Sequence, residues 1–155
     1  MILEIDKYEP EHWLVSQVVR VVDRGGVVVI PTDTVYGVAC DLNNDKAVSR
    51  LYELKGMSKK KLLSILCLDM GMASANVSSI PHAWFRTMRR DLPGPYTFIL
   101  PAGRHLPRAM LKQRKTVGIR FPDWPIALEL VRQLGRPMIT TSIRVGDPWL
   151  HSPAE

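Results

Sequence analysis

Leu14, Val15, Val18, Val19 and Val22 fall at helical spacing within Glu11 to Arg24, which predicts an amphipathic helix. Gly25-Gly26 ends it, because glycine accepts the left-handed backbone found at helix C-termini. Val27 to Ile30 is a short, wholly apolar run and predicts a strand buried on both faces. Thr32-Asp33-Thr34 makes a polar turn at its end. A second helix is predicted from about Asn44 to Leu54, with Ala47, Val48, Leu51 and Leu54 on one face. Strands follow at Leu62 to Leu68, Tyr96 to Leu100, Val117 to Phe121 and Met138 to Thr141. Between them, helices are predicted at His82 to Arg90, stopped by Pro93-Gly94-Pro95, and at Pro107 to Lys112, with proline at the first position. Another runs from Ile126 to Leu134 and is closed by Gly135. The alternation of helix and strand predicts an α/β fold, a twisted mixed sheet with helices packed on it.

Length and composition narrow this picture. The 155 residues are 46% apolar and carry no repeat or linker, which suits one domain over residues 1–155. No apolar run approaches the ~18 residues of a membrane span. Met1 to Asp6 lacks the basic start and apolar stretch of a signal peptide, so a cytoplasmic location with no membrane partner is expected. Cys40 and Cys67 sit in no CxxC or Cys/His cluster, so two buried, reduced thiols are expected. Ser152-Pro153-Ala154-Glu155 reads as a helix start with no helix after it. A chain lacking its C-terminal part is therefore expected.

Charge is uneven. From Lys55 to Arg120 there are 13 Lys and Arg against Asp69 and Asp91 only, a net +11, which leaves −5 for the rest of a +6 chain. Such a basic middle fits a polyanionic partner, nucleotide phosphates or RNA. A solvated basic face without a partner fits equally well.

The generic nucleotide signatures are absent: there is no GxxxxGK[ST] and no GxGxxG. His12, His82, His105 and His151 share no spacing, which favours surface roles over catalysis. Four other segments stand out together. They are Pro31-Thr32-Asp33-Thr34-Val35-Tyr36-Gly37 after the first strand, and Leu54-Lys55-Gly56 at a helix end. Then come Pro93-Gly94-Pro95-Tyr96-Thr97 entering a strand, and Thr116-Val117-Gly118-Ile119-Arg120-Phe121-Pro122 with Pro137 to Ser142 behind it. In this order they resemble the YrdC-like threonylcarbamoyl-AMP synthase family over nearly the whole chain. Details such as Tyr96 to Leu100 and Arg114 to Gly118 look like its YciO branch.

The resemblance implies a chemistry. Threonine's amine reacts with bicarbonate to give a carbamate. The carbamate oxygen attacks the α-phosphorus of ATP and pyrophosphate leaves. The product, threonylcarbamoyl-AMP, serves tRNA modification. No enzyme nucleophile is needed; the site gathers anions and stabilises charge on phosphorus, with Mg2+ carried on ATP. By resemblance Thr34 and Tyr36 line the threonine pocket, and Lys55 neutralises phosphate. Thr116 and Ser142 bind the nucleotide, and Arg120 binds the threonine carboxylate, for which its planar fork is suited. Lys55 and Arg120 would be the catalytic cations.

Each residue also has a plainer reading. Thr32 and Thr34 can simply close a turn, Lys55 can complement a helix C-terminus, and Tyr36 can be core. Arg120 lies between Ile119 and Phe121, so it either faces water or has a partner.

The main branch has Lys-x-Arg where this chain has Lys55-Gly56-Met57, and Ser-Ala-Asn where it has Ser142-Ile143-Arg144. A lost charge-assisted hydrogen bond of roughly 1.5–3 kcal/mol slows a reaction on the order of 10- to 100-fold. Reduced activity is therefore expected, unless Lys59, Lys60, Lys61 or Arg144 substitutes. The alternative is a non-catalytic domain binding tRNA or double-stranded RNA by shape and phosphate contacts, with Arg89, Arg90, Arg114 and Lys115 as its cations.

Overall fold

The computed structural model describes residues 1–56, 63–111 and 115–144. Helix α1 (His12–Asp23) leads into strand β1 (Val28–Ile30), and Gly25 takes φ +82° after the helix. Strand β2 (Gly37–Asp41) and helix α2 (Asp45–Leu54) follow; Asn44 caps α2 by accepting from the Ala47 N–H at 3.0 Å. Then come β3 (Ser64–Leu66), α3 (Met70–Asn76), α4 (His82–Asp91), β4 (Phe98–Pro101) and α5 (Arg108–Leu111). Strand β5 (Thr116–Arg120), helix α6 (Pro125–Leu134) and β6 (Met138–Ser142) complete the described part.

The strands form one six-stranded twisted sheet in the order β1-β2-β6-β3-β5-β4. Only β3 and β5 pair in parallel; the other neighbours are antiparallel. This is the mixed sheet that the alternating pattern predicts.

Three details differ from the sequence reading. Strand β1 is not buried on both faces. It is an edge strand bonded only to β2, and Val29 is 51% exposed while Ile30 is buried. A wholly apolar run suggests a central strand, but three residues of valine and isoleucine also suit a half-covered edge. Strand β2 has no signal in the sequence pattern. Gly-Val-Ala-Cys-Asp carries little β-branching, and it is a strand because β1 and β6 flank it and both its faces are covered. Helix α3 is likewise absent from the predicted elements. Its Met-Gly-Met-Ala-Ser-Ala-Asn sequence has weak periodicity, and the start is fixed by Asp69, which accepts from the Met72 N–H at 2.8 Å. The residues Leu62, Lys112 and Ser152 to Glu155, where further element ends are predicted, lie outside the described residues.

Two apolar layers hold the sheet. On one face Val38, Cys40, Ile65, Val117, Ile119 and Ile139 pack with α2 and with Ala73, Met88 and Met110 from α3, α4 and α5. On the other, Ile30, Ala39, Leu66 and Met138 pack under α1 and α6. Both cysteines are buried as expected, and burial pushes each thiol up to about 12, with the neighbouring Asp41 and Asp69 adding to it.

Candidate functional site

Helices α1 and α6 cover only part of their face. The remainder can be read from the register. Gly37 pairs with Ser142, Thr140 with Ser64, Ser64 with Gly118, and Gly118 with Ile99. Paired residues share a face, so these positions form a floor of small and hydroxyl-bearing side chains. Two glycines keep it flat. A Cβ on Gly118 would lie 2.8 Å from Thr97 Cγ2 and 3.0 Å from Ser64 Oγ; one on Gly37 would lie 2.6 Å from Thr140 Oγ1. Ile99, Tyr96, Val35 and Tyr36 are all exposed around this region.

The turn between β1 and β2 reaches over this floor. Thr32 closes it: its hydroxyl donates to the Val35 carbonyl at 2.7 Å and accepts from the Thr34 N–H at 3.3 Å. That is the turn-closing reading of Thr32. The same closure aims Asp33 and Thr34 at Arg120. Nη2 of Arg120 donates to Asp33 Oδ1 at 2.9 Å and to Thr34 Oγ1 at 3.2 Å. Arg120 is only 8% exposed, so of its two options it has taken the partner. Asp33 stands in the turn motif, yet sequence reasoning assigns it no role. The sequence marks only half of the pair: an arginine between apolar strand residues calls for a carboxylate if it is buried, and the fold supplies Asp33.

Lys55 is the C-cap of α2 and is 7% exposed. Its ammonium donates to the Ser142 carbonyl at 3.0 Å, across from helix end to strand end. Tyr36 is 59% exposed rather than core, and its carbonyl accepts from the Ile143 N–H at 2.9 Å. That bond ties the turn to the end of β6. Thr34, Tyr36, Lys55, Arg120 and Ser142, far apart in sequence, are thus joined through the turn and the end of β6. Thr116 is exposed at the opposite end of β5, on the Arg120 face by strand alternation.

The expected RNA cations sit elsewhere. Arg89 and Arg90 are exposed on α4, which packs through Met88 on the other face of the sheet. Arg90 grips Asp91 through Nε and Nη2 at 2.7 and 3.0 Å, which holds the Asp91 carboxyl below its usual range. Lys115 is exposed beside β5. Arg114, Met57 and Lys59 to Lys61 lie outside the described residues. Among the described histidines, His12 is a surface residue beside Glu129 and Gln133. A separate cavity, lined by Glu9, Pro10, Pro125, Leu128, Glu129 and Arg132, touches none of the motif segments. Among the described residues no group of three or more His, Cys, Asp or Glu is placed to hold a metal, and no helix is long and apolar enough to cross a membrane.

A sheet with this floor of small residues, a polar turn over it and the buried cations Lys55 and Arg120 has close counterparts. The Sua5/yciO/yrdC family model, described as telomere recombination, matches residues 20–155. The chain belongs to this family. It is 36% identical over 135 residues to the uncharacterized protein YciO of Escherichia coli (strain K12), covering 86% of this chain and 65% of that one. It is 34% identical over 119 residues to the threonylcarbamoyl-AMP synthase of Halorhodospira halophila, covering 77% of this chain and 62% of that one. The crystal structure of E. coli YciO superposes with a TM-score of 0.84 at 34% identity, covering 92% of this chain and 69% of that one. P. abyssi Sua5 complexed with L-threonine superposes at 0.86 and 29% identity, covering 92% of this chain and 42% of that one. The chain therefore spans less than two thirds of the length of the curated relatives it matches here.

Proposed function

We propose that the chain is the catalytic domain of a threonylcarbamoyl-AMP synthase: ATP, L-threonine and bicarbonate give threonylcarbamoyl-AMP and pyrophosphate, for tRNA modification. One observation carries the reading. The buried Arg120 guanidinium is fixed against the turn by Asp33 and Thr34, at the edge of a floor of hydroxyls and glycines. Nη2 spends both its hydrogens there. Nη1 makes no hydrogen bond among the described residues and is not buried, so it remains available to an anion. A family member is known in complex with L-threonine and others are named as synthases, which supports a carboxylate as that anion.

In this reading Arg120 binds the α-carboxylate and Thr34 sits beside it to meet the amino acid. Tyr36 forms the pocket's outer wall. Lys55, Thr116 and Ser142 attend to the nucleotide, and magnesium enters with ATP. On this reading the carbamate oxygen meets the α-phosphorus, and the new P–O bond forms as the bond to pyrophosphate breaks. Positioning of this kind supplies a large share of a rate enhancement, because both reactants are anionic and repel each other in water. Pyrophosphate release that requires both threonine and bicarbonate tests the reading. Release independent of threonine, or none, would overturn it.

A second reading has its own observation. Helix α4 exposes Arg86 and Arg89 together with Trp84 on the face away from the floor. Cations around an aromatic ring suit single or double strands of RNA. In this reading the domain holds tRNA or double-stranded RNA, and catalysis is secondary or absent.

A further inference from the structure

Among the described residues, three buried side-chain polar atoms have no hydrogen-bond partner: Asp33 Oδ2, Arg120 Nε and Trp124 Nε1. Two of the three belong to one ion pair. Arg120 and Asp33 are joined by a single bond, Nη2 to Oδ1 at 2.9 Å, with both side chains about nine-tenths buried. A side-on pair would add a second bond from Nε to Oδ2, as Arg90 does with Asp91. Here the two atoms left over are the two that this second bond would join. Thr34 takes the other hydrogen of Nη2 at 3.2 Å, so the guanidinium is shared between two neighbouring residues of one turn. It is not closed upon the carboxylate.

The sharing decides how the cation is presented. An arginine side chain has many rotamers, and ordering it on binding costs affinity. Asp33 and Thr34 fix one corner of the guanidinium in advance; Nε is buried, and Nη1 is the donor left for a ligand among the described residues. The turn that carries both acceptors is itself closed by hydrogen bonds of Thr32, which place the two side chains side by side.

We infer that Asp33 is a positioning residue: its carboxylate holds Arg120 by Nη2 alone, one hydrogen bond short of a closed pair, so that Nη1 faces the substrate carboxylate. The inference rests on the reading of Arg120 given above. Asp33 itself need not touch the substrate. Its effect passes through Arg120, and this separates it from a ligand-binding or a purely structural residue.

The test is a double-mutant cycle on binding, read by calorimetry with L-threonine and, separately, ATP with magnesium. The variants are Asp33→Asn, which keeps the side-chain shape and one acceptor, Arg120→Lys, which keeps the charge without the fork, and the two combined. A thermal melt of each confirms folding. Asp33→Asn is expected to weaken L-threonine by about tenfold, the scale of one charge-assisted hydrogen bond, and to leave ATP affinity unchanged. In the Arg120→Lys background the same change is expected to alter threonine affinity by no more than about twofold. Undiminished threonine affinity in Asp33→Asn would overturn the inference. So would an equal loss in both backgrounds, because Asp33 would then act without Arg120, and so would parallel losses for threonine and ATP, which mark a structural role. If the unsubstituted protein binds ATP but no L-threonine, the proposed function itself fails, and the inference with it.

Discussion

Arg120 shows how much a single residue in a strand can disclose. Its neighbours Ile119 and Phe121 are buried, so a charge between them needs water or a partner, and the sequence marks the position without naming which. Asp33 cannot be picked out the same way, because an aspartate in a turn is ordinary and only the fold brings it across to β5. The cysteines give a check at the same scale. Both thiols are pushed up to about 12, first by burial and then by a nearby carboxylate. They are therefore protonated and unreactive at neutral pH, and neither should react with a thiol reagent at pH 8 until the protein is unfolded. An ordinary thiol ionises near pH 8.5–9. Below that, both states hold the proton and the thiols add no pH dependence. Above it, the unfolded chain ionises first, so stability should fall as pH rises from about 9 towards 12. Stability that is flat across that alkaline range would show that the thiols ionise as easily in the folded protein.

Most elements are legible because their period is strong: α1, α2 and α6 each carry an apolar stripe, and the structure begins and ends them within a residue or two of the predicted bounds. Strand β2 and helix α3 are not, for they are made of small residues and owe their form to neighbours and to a cap. Gly37 lies where β2 passes Thr140, whose hydroxyl donates to the Val38 carbonyl at 3.0 Å. Gly37→Ala would place a Cβ 2.6 Å from that oxygen, so it should lower stability in urea by roughly 1–3 kcal/mol, the usual cost of overpacking. Arg136 joins three elements: it bonds Asp41 at the end of β2 through Nε and Nη2 at 2.9 and 2.7 Å, Asp23 at the end of α1 at 2.6 Å, and the Leu134 carbonyl at the end of α6 at 3.2 Å. Asp41 is buried while Asp23 is half exposed. Arg136→Ala should therefore destabilise by about 1–2 kcal/mol, mostly through the stranded Asp41 carboxylate. A melting temperature equal to that of the unsubstituted protein would show the bridge to be a bystander.

At the scale of the molecule the sequence foretells a basic middle but not its division. The +11 segment from Lys55 to Arg120 is split by the sheet. Arg120 is buried on the floor face and Lys55 reaches the end of β6 from the C-terminus of α2, whereas Arg86, Arg89 and Arg90 are exposed on α4, on the far face. Linear charge counting cannot see this, because the chain crosses from one side of the sheet to the other within that segment. The two readings therefore use different surfaces and can be separated. Replacing Arg86, Arg89 and Lys115 with glutamine should flatten the salt dependence of RNA binding, the log–log slope falling by about one for each phosphate no longer neutralised, with threonine affinity unaltered. An unchanged slope would exclude the α4 face as the RNA surface.

In the proposed reaction Arg120 receives the carboxylate of an amino acid whose carbamate is then joined to AMP. The most direct measurement supplies ATP, magnesium and 13C-bicarbonate with either L-threonine or L-threoninol, which keeps the amine and hydroxyl but lacks the carboxylate. Adenylated product is followed by mass. Labelled threonylcarbamoyl-AMP is expected from threonine and, with the carboxylate gone, at most about a tenth as much product from threoninol. No labelled product from threonine, or equal product from the two, would contradict the claim.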